Sequence, residues 1–216
     1  MTMDLRGLLL DGLGPLDLRL DEHQIDQLLE FLALLQRWNR VYNLTAVRDP
    51  QQMLTHHLLD SLAAVSPLRR YLAERAGASA RLLDVGSGGG LPGVVFAVCQ
   101  PDLQITCVDA VAKKAAFVQQ AAASLQLRNL RGDHARVQAV QGPFDVVSSR
   151  AFASLADFTA WSRHLLTPGG AWLAMKGKRP DDEIAALPAN VAVFHVEPLR
   201  VPQLDAERCI VWMRPV

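Results

Sequence analysis

Between residues 82 and 93 the chain reads LLDVGSGGGLPG, an apolar run that ends in four glycines within five positions. Glycine costs backbone entropy and adds nothing to a core. A cluster of it marks a place where the chain must take positive φ or where something approaches the backbone closely. Five glycines in eight residues (Gly86, Gly88, Gly89, Gly90 and Gly93) exceed what a tight turn needs. The loop follows a strand-like RLLDV and precedes a helix-like GVVFAVC, so it predicts a ligand site at the carboxyl end of a sheet strand.

The chain around the loop divides in two. Residues 21 to 66 carry helical periodicity: Asp21 is placed to cap a helix in which Ile25, Leu28, Leu29, Leu32, Leu35 and Trp38 recur at three- and four-residue spacing. The stretch YNLTAVRDP breaks it, and Pro50 is suited to open a second helix, QQMLTHHLLDSLAAV. From Arg81 onward apolar runs alternate with helix-like segments (RLLDV, GVVFAVC, QITCVDA, AKKAAFVQQAAASLQL, FDVVSS, LADFTAWSRHLL, GAWLAMK). That alternation predicts a parallel sheet covered on both faces. The tail adds two strands, VAVFHVEPL and RCIVWMRPV, joined by a turn containing proline. The expected organisation is an N-terminal helical cap, residues 1–66, and a doubly wound α/β domain, residues 67–216.

Half of the 216 residues are apolar, enough for a large core, and 22 basic residues balance 22 acidic ones. Nucleic-acid binding through bulk charge is thereby excluded; any such contact must come from a local patch. Cys99, Cys107 and Cys209 have no CxxC spacing and read as reduced core thiols. His56 and His57 lack a third ligand, so no metal is expected. No apolar run reaches the ~18 residues of a membrane span, and the N-terminus lacks a signal-peptide layout. A soluble cytoplasmic protein is expected, and nothing in the sequence argues for more than a monomer.

Which ligand suits the loop follows from its spacing. A dinucleotide fingerprint G-x-G-x-x-G begun at Gly86 fails at its sixth position, which is Leu91. The pattern present is D-x-G-x-G-x-G, made by Asp84, Gly86, Gly88 and Gly90. It resembles motif I of class I S-adenosylmethionine-dependent methyltransferases. An acid there would repel a pyrophosphate but attract the methionine ammonium, directly or through water. Asp109, with Ala110 beside it, ends the second strand-like segment and is suited to accept hydrogen bonds from both ribose hydroxyls. For adenine the segment GDHARVQAV offers Asp133, or the pair Val137 and Gln138, and the sequence does not separate them.

Beyond these pieces the chain resembles one family, the bacterial small-subunit rRNA methyltransferase G family, also called glucose-inhibited division protein B. The resemblance rests on WNRVYNLTAVRDP, HHLLDSL, LLDVGSGGGLPG, VVSSRAFAS, MKGKRPDDEI and VPQLDAERCIVWMR, spanning about Trp38 to Met213. It implies a class I methyltransferase fold, Rossmann-like and mostly parallel with an antiparallel last strand. It also implies transfer of the S-adenosylmethionine methyl to N7 of a guanine in the decoding region of 16S rRNA. Gly86 and Leu91 would touch the cofactor, Asp109 would lie near its ribose, and Val137, Gln138 and Arg150 correspond to further contacting positions. The family often has Glu where this chain has Gln138. N7 methylation suits the absence of an Asn/Asp-Pro-Pro-aromatic stretch or a nucleophilic cysteine. Guanine N7 has a free lone pair, so no proton need leave, and rate comes from alignment. Arg150 is read as a cofactor-site or guanine-orienting residue. RNA contact from the 30S subunit is expected at Lys176, Lys178 and Arg179, and at Arg37, Arg40 and Arg48 beside the cap. The alternatives are a methyltransferase for a small molecule or protein, and a non-catalytic cofactor sensor.

Overall fold

The computed structural model describes residues 4–74 and 80–216. Its centre is one seven-stranded sheet of β1 (Arg81–Val85), β2 (Gln104–Asp109), β3 (Leu130–His134), β4 (Phe144–Arg150), β5 (Leu166–Lys176), β6 (Val191–Leu199) and β7 (Arg208–Pro215). The spatial order is β3-β2-β1-β4-β5-β7-β6. All neighbours pair in parallel except at β7, which runs antiparallel to both β5 and β6. The tail hairpin and antiparallel last strand are as expected. The chain winds outward from β1 in one direction and from β4 in the other. The crevice between their carboxyl ends is therefore the switch point where such sheets take ligands.

One face of the sheet is covered by α6 (Gly93–Cys99), α7 (Ala112–Ser124) and the N-terminal helices, the other mainly by α8 (Leu155–Ser162), with α9 (Asp181–Ala185) alongside. The helices before β1 are α1 (Leu5–Leu13), α2 (Glu22–Tyr42), α3 (Pro50–Met53), α4 (Asp60–Leu62) and α5 (Val65–Ala73). In α2, Asp21 accepts from the Gln24 amide while the Gln24 side chain accepts from the Asp21 amide, a reciprocal cap. Its predicted apolar face is inward: Ile25, Leu28, Leu32 and Leu35 are buried and Trp38 partly so. Asn43 ends the helix in the left-handed region and Pro50 opens the next.

Between α3 and α4 the helix widens into a π-helical stretch, Leu54–Leu59, which carries His56 and His57. Such insertions accumulate at functional sites. The expected boundary at residue 66 falls inside α5, and one apolar cluster runs across it, joining Leu9, Leu35, Leu58 and Val65 to Leu82, Val94 and Phe117. The three cysteines are buried and unbridged. Burial pushes the Cys99 thiol up to about 12. No helix among the described residues is long and apolar enough to cross a membrane.

Candidate functional site

The glycine loop turns sharply out of β1. The amides of Gly86 and Ser87 donate to the Val108 carbonyl, and those of Gly90 and Leu91 to the Ser87 carbonyl. Two of its positive-φ glycines have different reasons to be there. Gly90 (φ 77°) packs inward, where an added Cβ would lie 2.5 Å from Val94 Cγ2. At Gly88 (φ 55°) a Cβ would meet nothing nearer than the Gly86 carbonyl oxygen at 3.9 Å. Gly88 lines a cavity, and Gly90 does not. The missing side chain of Gly90 makes room for α6.

Asp84 lies beneath the loop, at the end of β1. It is fully enclosed, its Oδ1 accepting from Ser148 Oγ at 2.9 Å and its Oδ2 from the Gly93 amide at 3.0 Å. Burial pushes its carboxyl up to about 7, against the lowering by those two bonds. It ties β1 to β4 and to the start of α6 from beneath the loop.

Two cavities open at the switch point. The smaller, about 420 Å³, is bounded by Asp109, Ala110, Val137 and Gln138, with Phe152 and Trp161 opposite. Asp109 is nearly buried; its Oδ1 accepts from the Val111 amide at 2.9 Å and its Oδ2 from the Gly88 amide at 3.0 Å. Each oxygen keeps a lone pair for a further donor. Of the two adenine options, Val137 and Gln138 reach this wall. Asp133 sits within β3, 3.1 Å from the Arg131 guanidinium, and is not among the residues that bound this cavity.

The larger cavity, about 610 Å³, lies on the other side of the loop, against the N-terminal helices. Gly86, Gly88, Gly89 and Leu91 form one wall, Leu44, Thr45 and Val47 another. Arg150 enters from the end of β4. Its Nη1 donates to Asp60 Oδ2 at 2.8 Å and to the His56 carbonyl at 3.0 Å. Asp60 is 3 % exposed, and its other oxygen accepts from Arg208 Nε at 2.7 Å. One buried carboxylate therefore fixes two cavity-lining guanidiniums, leaving net positive charge on the wall. Ala151, next in the chain, is held at φ 51°, an uncommon conformation for a residue with a Cβ and one that clusters at functional sites. His57 lines this cavity with its Nε2 2.8 Å from Thr45 Oγ1. Burial first, and then Arg150, lower its pKa to about 4, so it is neutral at physiological pH.

The cations expected to meet RNA divide by partner. Lys176 Nζ donates to both Glu183 oxygens and to the Ala153 carbonyl; its ammonium clasps α9 to the loop after β4, and the side chain lines the larger cavity. Lys178 and Arg179 are exposed, the latter paired with Asp181. Arg48 is exposed and donates to Asn43 Oδ1. Sequence reasoning missed Asp60, Arg208, His57 as a cavity residue, and Ala151. The signal for Ala151 was available in its place between Arg150 and Phe152. For Asp60 and Arg208 no local signal existed, because Asp60 meets its partners 90 and 148 positions away.

With this geometry, similarity to known proteins is informative. The family described as rRNA small subunit methyltransferase G matches residues 24–211. The ribosomal RNA small subunit methyltransferase G of Acidovorax sp. (strain JS42) is 71% identical over 95% of this chain and 93% of its own. That of Polaromonas naphthalenivorans is 62% identical over 99% and 97%. Among solved structures, the N-methyltransferase NodS from Bradyrhizobium japonicum, in complex with S-adenosyl-L-homocysteine, superposes with a TM-score of 0.54 at 15% identity, covering 84% of this chain and 98% of that one. TrmN from Thermus thermophilus gives 0.56 at 19% identity over 76% and 53%. The remote structures establish the class I methyltransferase fold. The relatives and the family match establish more: this chain belongs to the rRNA small subunit methyltransferase G family.

Proposed function

We propose that this protein transfers the methyl group of S-adenosylmethionine to N7 of a guanine in 16S rRNA of the small ribosomal subunit. We read it as acting in the cytoplasm as a monomer, with residues 1–66 as a helical extension of the methyltransferase domain 67–216. One observation carries the reading. The two cavities share Gly86, Lys114 and Ala151, so a ligand seated against Asp109 reaches the arginine-lined chamber at the loop. The relatives from Acidovorax and Polaromonas are ribosomal RNA small subunit methyltransferases, which supports the acceptor class.

The residues present fit the cofactor. Gly88 leaves open the space that a Cβ would fill, and Asp109 keeps an acceptor site on each oxygen. When bound, S-adenosylmethionine supplies an electrophilic methyl on a sulfonium. Asp109 accepts from the ribose hydroxyls, Val137 and Gln138 border the base, and Gly86, Gly88 and Leu91 border the methionine end. Arg150 is held by Asp60 along one edge and keeps its remaining N–H groups for the cofactor or for guanine O6. N7 must stay free for attack, so O6 is the guanine atom available to a donor. Guanine N7 carries a free lone pair, so no residue has to remove a proton. Lys178, Arg179 and Arg48 are exposed and follow cavity-lining residues within two positions, and we assign them to RNA phosphates.

The test is tritium transfer from labelled S-adenosylmethionine to 30S subunits from a strain lacking this activity, followed by nucleoside analysis. Label in N7-methylguanosine of 16S rRNA is expected. Label in free metabolites or protein instead would overturn the acceptor.

A further inference from the structure

The C-terminal end of α2 presents an unusual combination for a surface. Val41 is 70% exposed and Tyr42 40%, and the Tyr42 ring is backed by Trp38 at 5.0 Å between centroids. Trp38 in turn meets Phe117 of α7 edge-on at 5.4 Å, so the outer ring rests on an ordered aromatic stack. Basic residues flank it. Arg37 and Arg40 are exposed on the same helix, and Arg48 reaches back to Asn43, the residue after Tyr42. Arg40 and Arg48 also border a cleft of about 180 Å³, with Gln36, Asn39, Pro50 and Met53 as its other walls. Among the described residues nothing bonds the Arg40 guanidinium.

The position of this surface gives it meaning. The loop that leaves Tyr42 supplies Leu44, Thr45 and Val47 to the wall of the arginine-lined chamber. A guanine delivered into that chamber must leave its stack, which frees the neighbouring bases and bends the backbone around them. Single-stranded nucleic acid is held by aromatic faces that stack bases and by cations that follow the phosphates. We propose that the end of α2 is a docking surface for the RNA strand beside the methylated nucleotide, with a base on Tyr42 and a backbone phosphate in the Arg40–Arg48 cleft. The assignment rests on the rRNA reading above and adds to it a site on the N-terminal extension.

Binding of unmethylated 16S rRNA, measured by filter retention across a salt series, tests this apart from methyl transfer. Tyr42→Ala should weaken binding about tenfold, within the range for loss of one stacked base, while Tyr42→Phe should bind like the parent protein. The double variant Arg40→Gln with Arg48→Gln should weaken binding at least as much and lower the slope of log K against log salt by about one. Affinity for S-adenosylmethionine should be unchanged in all three, which also reports an intact fold. Unchanged RNA binding and slope in variants that hold the cofactor normally would overturn the docking surface. If the parent protein binds the RNA but transfers no methyl to it, the acceptor reading fails while the surface is still judged by the variants. If the parent protein binds no RNA, both fall.

Discussion

The two cavities that meet at Gly86 and Ala151 are built in opposite ways. The one beside Asp109 is assembled from turns that follow successive strands: its key acid ends β2, and Val137 and Gln138 follow β3 within a few residues. Its main polar anchors are short-range, Asp109 accepting from amides two and twenty-one residues away. The other is assembled from distant parts of the chain. Asp60 comes from the N-terminal extension, Arg150 from the end of β4 and Arg208 from the start of β7, and they meet only in the fold. A nucleoside pocket of the first kind suits any member of a large fold class. A chamber of the second kind requires the N-terminal helices, which supply Asp60 and part of its wall.

The sharpest way to break this comparison is Asp60→Ala. It would leave two guanidiniums, 18% and 24% exposed, without their shared carboxylate. Removing one partner of a buried ion pair typically costs about 3–5 kcal/mol. Urea unfolding should report a loss of that order, together with loss of methyl transfer. A loss below about 1 kcal/mol would mean that the arginines are resolvated in the cavity and that the extension does not hold the chamber together.

His57 supplies the next effect, as pH dependence. Its pKa is about 4 in the fold against 6.5 for a free histidine. Above pH 6.5 it is neutral in both states, and its contribution is fully present. As pH falls from 6.5 to 4 the unfolded chain takes up a proton that the folded chain refuses, so stability drops by up to on the order of 3 kcal/mol. Asp84 acts in the opposite sense. Its carboxyl is raised to about 7, so its contribution is present below pH 4 and lost as pH rises toward 7. The two windows overlap, and single variants separate them. The stability of the parent protein minus that of His57→Gln should fall on acidification, and the same difference for Asp84→Asn should fall on alkalinisation. A pH-independent difference for His57→Gln would show that the chamber admits water freely around the ring.

Arg150→Ala asks which cavity the arginine serves. Loss of one preorganised donor to a reacting system costs about a hundredfold in turnover. We expect that loss in kcat/KM for rRNA, with the fold retained. If the cofactor dissociation constant rises by the same factor, Arg150 belongs to the nucleoside side of the comparison; if it is unchanged while turnover falls, it belongs to the acceptor side. Unchanged turnover would remove it from both.

What could be read from the sequence follows the same division. The strand-to-helix alternation, the cap at Asp21 and the helix opening at Pro50 are local events, governed by neighbours within a few residues, and Asp109 was legible from its place at the end of a strand-like segment. Asp84 and Gly90 were legible as residue types but not as orientations. A D-x-G-x-G-x-G pattern does not say which side of the loop faces α6 and which the ligand, and in the fold these two face inward. Lys176 shows the same limit, since Glu183, seven residues on, engages its ammonium only because α9 turns back toward β5. The π-helical stretch at His56 and His57 has no residue signature, and the pairing of Asp60 with Arg208 depends on the order in which β5, β7 and β6 are laid down.

The smallest expected effect sharpens the nucleoside side. Asp109→Asn keeps the size of the side chain but replaces one acceptor oxygen with an amide that donates. Both carboxylate oxygens already accept from a backbone amide, so the new NH2 group must face either the Val111 or the Gly88 N–H. The variant then loses one acceptor for the ribose and disturbs the loop that carries Gly88. A charge-assisted hydrogen bond is worth about 1.5 kcal/mol or somewhat more, so cofactor affinity measured by calorimetry should fall about tenfold. Asp133→Asn is the matched control. It lies one strand over, pairs with Arg131 and stands outside the cavity wall. Cofactor affinity should stay within about twofold there, the size expected for an exposed pair. If Asp133→Asn instead weakened the cofactor as much as Asp109→Asn, the adenine would have to lie across β3, and the wall formed by Val137 and Gln138 would lose its assignment.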